Sequence, residues 1–372
     1  MATFADFDLL PTLIADLTSQ QITRPTEVQQ QSIPALLRGE SLVGVSETGS
    51  GKTLAYALPM LSRLKELEIG GSAVSKPGRP RGVVVVPGRE LGEQVAGVFK
   101  SLTHGTRLRV RSVLGGSKKQ VARQNVNGNF EILVGTPGRL TQLLDTWDLR
   151  LDDVRTLVFD EADQLIDKGF LPSATQILEA CPSKAQLVMF SATLPPSVDP
   201  ILAPLFFKEP VRVRTAGASR TVRGLSVENI AVDDESRFEA LRKVLIRDFA
   251  VGTLVFANTR KQGDELAGWL SQHQFDFVPL MGEMERTERR RNLAAFRDGA
   301  VNILLTTDLG GRGLDIQRVD RVVNVHLPHG LDNYLHRVGR TARAGREGTV
   351  VNLVAGRDHE LMAELKWRSR KK

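Results

Sequence analysis

The sequence predicts an α/β fold: two domains, each a mostly parallel sheet flanked by helices, joined by a flexible linker near residue 220. Three observations predict it. Short runs that are apolar on both faces recur along the chain, Val83-Val84-Val85-Val86 being the clearest, and a strand buried on both faces belongs to a parallel sheet covered by helices. Each run ends in a turn of small or charged residues that opens a helix. The alternation stops at residues 215–224, a small, polar and basic stretch of linker composition, and then restarts. The expected organisation is residues 1–214, a linker at 215–224, and residues 225–372, and the length of 372 residues fits two domains.

Residues 8–37 read as two helices, with Leu9, Leu10, Leu13, Ile14 and Leu17 at helical spacing and Thr26 as the N-cap of the second, after Pro25. Gln29 lies on that second helix, either as solvated surface or with its amide presented to an adenine edge. The apolar run Ser41–Val45 then leads into Ser46-Glu47-Thr48-Gly49-Ser50-Gly51-Lys52-Thr53, followed by a helical pattern. Strand, glycine-rich turn and helix in this order form a phosphate cradle, because backbone N–H groups and the helix N-terminus converge on one spot. Lys52 reaches the outer phosphates and the Thr53 hydroxyl ligates Mg²⁺ in this reading, whereas the first glycine of the general pattern is replaced by Ser46. A plain glycine turn is the alternative.

A Gly-, Ser- and Pro-rich surface loop follows at residues 69–81. Three strands come next, Val83–Val86, Val110–Leu114 and Ile132–Val134, each closed by a turn with a basic residue nearby. Such turns gather at the carboxyl ends of a doubly wound sheet, where ligands bind. The strand Val154–Phe159 ends in Asp160-Glu161-Ala162-Asp163. Acids at the end of a buried strand need a partner, and a Mg²⁺ ion beside the phosphate cradle supplies one. Asp160 would then hold the metal and Glu161 would orient or deprotonate the attacking water; helix capping is the alternative role for these acids. Gln186–Phe190 is a further strand, ending in Ser191-Ala192-Thr193. Beyond the linker, strands at Leu254–Ala257, Ile303–Thr307 and Val322–Val325 lead to Asn258-Thr259-Arg260, to Asp308 through Asp315, and to His326. His336 opens a last cluster in which Arg340 and Arg343 share one face of a helical turn, as a solvated face or as fingers that neutralise a transferring phosphoryl group.

Composition bounds the class. Hydrophobic residues make up 41% and charged residues 25%, ordinary values for a globular chain. No apolar run approaches the ~20 residues of a membrane span, and Met1–Asp8 lacks the basic and apolar regions of a signal peptide. The single cysteine, Cys181, excludes an intrachain disulfide and a multi-cysteine zinc site, and fits a reducing compartment such as the cytoplasm. The net charge of +7 fits a polyanionic partner.

Taken together, these motifs resemble those of DEAD-box RNA helicases, ATP-dependent members of helicase superfamily 2, in the family's order from Phe4 to about Leu353. The resemblance implies two RecA-like domains, ATP and Mg²⁺ as cofactors, and local unwinding of short RNA duplexes with little sequence specificity. It implies that Phe4, Arg24 and Gln29 read the adenine, that Ser46 to Thr53 hold the phosphates, and that Asp315 contacts the ribose. Pro87, Arg89, Gly115, Gly116, Thr136 and Arg139 match positions that grip the RNA backbone, as do Thr259, Arg289 and Thr307 in the second half. Asp163, Ser191, Thr193 and His336 match residues coupling hydrolysis to strand opening, while Arg340 and Arg343 match the phosphate-reaching arginines.

Seven positions, at five sites, depart from the family pattern. Gly88 replaces a threonine, Arg286 a glutamine, His326 an aspartate, Gln21-Ile22 a glycine–aromatic pair, and Gly310-Gly311 a small pair whose replacement is expected to loosen the loop. A monomer that borrows specificity from a protein cofactor is expected. An ATP-gated RNA clamp and a DNA-directed helicase are the competing readings.

Overall fold

Along each central strand of the chain, alternate side chains enter different apolar clusters. Val84 and Val86 join one cluster while Val83 and Val85 join another; Val158 and Val188 follow the first pair, and Leu157 and Leu187 the second. Both faces of the sheet are therefore covered, which gives helix, sheet and helix layers. The second half repeats the device, with Leu254, Leu304 and Val322 on one side and Val255, Leu305 and Val323 on the other. Burying each such side chain contributes roughly 1.5–3 kcal/mol.

The computed structural model describes residues 2–47, 49–116, 118–166, 171–192, 205–206, 208–215, 225–247, 252–282, 284–311, 318–342 and 347–370. The chain divides into two units, Met1–Ser219 and Arg220–Lys372. In the first, strands β1 (Leu42–Val45), β2 (Gly82–Val85), β3 (Val110–Val113), β4 (Ile132–Gly135), β5 (Thr156–Asp160), β6 (Gln186–Ser191) and β7 (Val211–Arg214) form a sheet in the order β3-β4-β2-β5-β6-β1-β7. Every pairing in it is parallel. In the second, β8 (Leu225–Ala231), β9 (Thr253–Ala257), β10 (Phe277–Leu280), β11 (Ile303–Thr307), β12 (Arg321–Asn324) and β13 (Gly348–Val354) take the order β10-β11-β9-β12-β13-β8, again all parallel. The expected linker is described only at Thr215, whose N–H donates to Val45 O at 3.1 Å; residues 216–224 lie outside the described residues.

Strand order decides which loops meet. Strands β1, β6 and β5 are neighbours, so the turn after β1, Ser191 and Asp160 share one end of the sheet. Strands β2, β4 and β3 carry the turns at Arg89, Thr136 and Gly115 in the other half of the same edge. In the second unit, three asparagines stand in register across adjacent strands. Asn324 Nδ2 donates to Asn352 Oδ1 and Asn352 Nδ2 to Asn229 Oδ1, each at 2.8 Å. Among the described residues, no helix is long and apolar enough to cross a membrane.

Candidate active site

The turn after β1 is built by glycine. Gly51 has a φ of +91°, and a Cβ there would lie 2.4 Å from Gln29 Nε2, so only glycine fits the turn and the close approach together. Lys52 opens the helix Lys52–Ile69 and is buried; its Nζ donates to Ser46 O at 2.8 Å and Glu47 O at 3.2 Å. Burial pushes its pKa down, against the opposing pull of Asp160, Glu161, Asp163 and Glu47. Ser46, standing where the general pattern has glycine, shares a hydroxyl hydrogen bond of 2.8 Å with Ser50. Its N–H donates to Ser191 O at 3.0 Å, which ties the turn to the end of β6. Thr53 is half-buried on the first turn of the helix, and Thr48 lies outside the described residues.

Asp160 ends β5, 3% exposed. Its Oδ1 accepts the Glu161 N–H at 3.0 Å and its Oδ2 accepts the Tyr56 hydroxyl at 2.8 Å. Burial raises its pKa to about 6, although Lys52 and the two hydrogen bonds pull the other way. Glu161 takes a left-handed φ of 54°, and its Oε2 accepts Gln164 Nε2 at 2.6 Å. Tyr56 and Gln164 were not among the residues singled out from the sequence. Tyr56 sits inside an apolar helical pattern, and nothing in that pattern marks a side chain whose hydroxyl reaches across 104 positions.

Gln29 is 2% exposed, so the solvated-surface alternative does not hold. Its Oε1 accepts the Thr26 N–H at 2.9 Å and its Nε2 donates to Gly51 O at 3.0 Å. The amide thus links the start of helix Glu27–Leu37 to the phosphate turn. Phe4 is 3% exposed, edge-on to Phe7 at 6.3 Å and packed into the first unit's core, so its ring has no open face in this structure. Arg24 is exposed.

The loops after β2, β3 and β4 form one hydrogen-bonded group. Arg89 Nη1 donates to Gly115 O at 2.8 Å, and Gly115 N–H donates to Thr136 Oγ1 at 3.0 Å. Arg89 also grips Glu93, and Arg139 grips Gln142. Pro87 is half-buried and Gly116 exposed beside them. Gly88 has an extended φ of −136°, and a Cβ added there would meet nothing within 4 Å, which leaves space in front of this group.

In the second unit, Arg289 is held rather than extended. Its Nη1 donates to Met281 O at 2.9 Å and its Nη2 to Gly310 O at 2.8 Å, while Thr307 Oγ1 accepts the Gly310 N–H at 3.3 Å. The expectation that Gly310 loosens its loop is corrected by packing. A Cβ at Gly310 would lie 2.1 Å from Leu280 O, so the glycine permits a tight seat. Thr259 caps the helix Arg260–Gln272, accepting the Gln262 N–H at 3.2 Å. The helix Leu331–Val338 carries half-buried His336 and is followed by buried Arg340. Asp315, Arg343 and Thr193 lie outside the described residues, as do Arg312 and the end of the basic tail.

Arg337, between these residues, is 1% exposed and was not singled out from the sequence. It forms a bidentate pair with Asp308 at 2.6 and 2.7 Å and donates to Asn258 Oδ1, Asn324 Oδ1 and His326 O. His326 is buried and titrates near 4, lowered first by burial and then by Arg237, Arg357 and Arg337.

The family model described as DEAD/DEAH box helicase matches residues 26–201, and that described as helicase conserved C-terminal domain matches residues 236–345. The chain is 34% identical over 366 residues to the ATP-dependent RNA helicase SrmB of Escherichia coli, covering 98% of this chain and 81% of that protein. Yeast Dbp5 bound to RNA and ADP BeF3 superposes with a TM-score of 0.87 at 25% identity, over 99% of this chain and 93% of that one. A Dbp5 variant bound to a Gle1 variant and IP6 gives a TM-score of 0.74 at 27% identity, over 99% and 92% of the two chains. Two RecA-like units, the Asp160-Glu161-Ala162-Asp163 signature beside a phosphate turn, and relatives of this identity and coverage place the chain in the DEAD-box family of ATP-dependent RNA helicases.

Proposed function

We propose that this chain hydrolyses ATP in response to single-stranded RNA and uses the cycle to open short RNA duplexes or remodel RNA–protein complexes. The observation that carries it is the convergence of Lys52, Asp160, Glu161 and the phosphate turn on neighbouring strand ends of one sheet. Lys52 binds the phosphates and Glu161 orients the water and accepts its proton. A Mg²⁺ ion fits the Thr53 hydroxyl and the Asp160 carboxylate. Asp160 is a buried acid whose charge is disfavoured without a cation, both donors are hard oxygens, and Mg²⁺ keeps most of its ligands as water and phosphate. Among the described residues no group of three acid, histidine or cysteine side chains forms a separate metal cage. When bound with ATP, the ion would neutralise charge on the phosphates.

The linked loops at Arg89, Gly115 and Thr136 support a backbone grip on RNA, with Pro87, Gly116 and Arg139 beside them, and Thr259, Arg289 and Thr307 serve the same end in the second unit. Backbone contacts give little sequence specificity. Arg340 and Arg343 reach the phosphates when ATP and RNA together favour closure of the two units, and Asp163, Ser191, Thr193 and His336 couple that closure to strand opening. The Gle1 complex of Dbp5 supports a protein cofactor here too. We assign the chain to the cytoplasm, as a monomer. The test is steady-state ATPase with and without single-stranded RNA at two salt concentrations. Stimulation that weakens with salt is expected, and ATPase reduced about 10³-fold in Arg340→Ala with nucleotide binding retained. Absence of ATPase in well-folded protein would overturn the reading.

A further inference from the structure

Each acid at the end of β5 is gripped by a side chain that the reaction above does not use. Tyr56 is 1% exposed, with its ring fixed between Phe99 at 6.2 Å and Phe190 at 5.9 Å. Phenylalanine would fill that apolar seat equally well, and a buried hydroxyl is costly unless it is bonded. The Tyr56 hydroxyl donates to Asp160 Oδ2 at 2.8 Å, opposite the backbone N–H that holds Oδ1 at 3.0 Å. Two donors from different elements lock rotation of the carboxylate, yet each oxygen keeps a lone pair for a further partner.

Gln164 stands to Glu161 as Tyr56 stands to Asp160. It is 6% exposed, and its Nε2 donates to Glu161 Oε2 at 2.6 Å. Its own Oε1 is buried with no hydrogen-bond partner among the described residues, and a buried acceptor left unpaired costs stability. Glu161 meanwhile holds a φ of 54° that side chains rarely adopt. An unsatisfied amide and a strained acid on one short turn mark a place where geometry is kept at the expense of stability.

We propose that Tyr56 and Gln164 are positioning residues, Tyr56 orienting Asp160 toward the cation that accompanies ATP and Gln164 orienting Glu161 toward the attacking water. This rests on the functional reading above. The two roles are separable, because one acts on metal-dependent binding and the other on the chemical step. Loss of a donor behind a metal-holding group typically costs 10–100-fold in metal affinity.

The experiment titrates a fluorescent ATP analogue into full-length Tyr56→Phe and Gln164→Met, in EDTA and in Mg²⁺, alongside RNA-stimulated ATPase. Tyr56→Phe is expected to leave affinity in EDTA unchanged and to reduce the gain from Mg²⁺ about tenfold. Gln164→Met is expected to keep both affinities and KM for ATP while kcat falls about tenfold. In an Asp160→Asn background, Tyr56→Phe should have no further effect on the Mg²⁺ gain, since a residue acting through Asp160 has nothing left to orient. A Mg²⁺ gain that is unchanged or larger in Tyr56→Phe, or an effect that persists in full beside Asp160→Asn, would overturn the role of Tyr56. An unchanged kcat would do so for Gln164. A parent protein without ATPase would remove the functional reading and this inference with it, whereas an active parent with indifferent variants removes the inference alone.

Discussion

Replacing Arg337 by methionine should destabilise the second unit selectively. The side chain is 1% exposed, and its guanidinium sits 4.9 Å over the Phe256 ring. It donates five hydrogen bonds: two to Asp308, at 2.6 and 2.7 Å, and one each to Asn258 Oδ1, Asn324 Oδ1 and His326 O. Methionine keeps much of the packing and removes every donor. Breaking a buried ion pair costs about 3–5 kcal/mol when the remaining charge stays buried. The Asp308 side chain is 25% exposed and recovers some hydration, which favours the lower end. Three carbonyl-type acceptors left without their donor add about 1 kcal/mol, less than their separate sum because they share one network. The total is about 4 kcal/mol, a large share of the ~5–15 kcal/mol that holds a domain folded. Native-state hydrogen exchange resolves the units. Amides of β9, β12 and β13 should exchange about 10³-fold faster while those of β2 and β5 do not change. Adding Asp308→Asn should restore part of the loss by removing the stranded charge. Unchanged protection in β9, β12 and β13 would mean that the Arg337 network does not hold the second unit together.

Three other perturbations follow from the same geometry. Gly51→Ala places a Cβ 2.4 Å from Gln29 Nε2 at a φ of +91°, so the Gln29 tie must break; nucleotide affinity measured by calorimetry should fall roughly 10–100-fold. Metal-free Asp160→Asn should gain thermal stability over the parent as pH rises. The folded carboxyl titrates near 6, above its unfolded value, so the parent's stability is full below about pH 4 and is lost through pH 6, by about 3 kcal/mol at pH 7.5. A pH-independent difference between the two proteins would contradict this. Gly88→Thr finds open space and an extended backbone, so it should fold normally, gain up to about 1 kcal/mol of stability by restricting the unfolded chain, and bind single-stranded RNA severalfold more tightly in fluorescence anisotropy; unaltered RNA affinity would show that Gly88 is not beside the RNA path.

The fold class and the strands buried on both faces were legible in the sequence, because a short β-branched run such as Val83–Val86, closed by a turn, fits a strand inside a covered sheet. It also located the phosphate turn and the acids after β5, whose residue types are dictated by phosphate and metal chemistry. It did not reveal β7, β8 and β10, all of them sheet edges: β7 (Val211-Arg212-Val213-Arg214) and β8 interleave polar residues, and Pro279 stands inside the short apolar run of β10. Nor did it reveal β13, where Asn352 interrupts the run; that asparagine can be buried because Asn324 and Asn229, in register beside it, and the Tyr334 hydroxyl bond its amide. Tertiary structure alone decided what each polar side chain is for. It turned Gln29 inward to the phosphate turn, committed Arg289 to the carbonyls of Met281 and Gly310, seated Gly310 against Leu280, and brought Tyr56 to Asp160 and Arg337 to Asp308. Hydrophobic patterning is local and repeats along the chain, so it can be read there. A hydrogen bond between distant residues depends on which strands are neighbours and in what register, and that is fixed only when the sheets assemble.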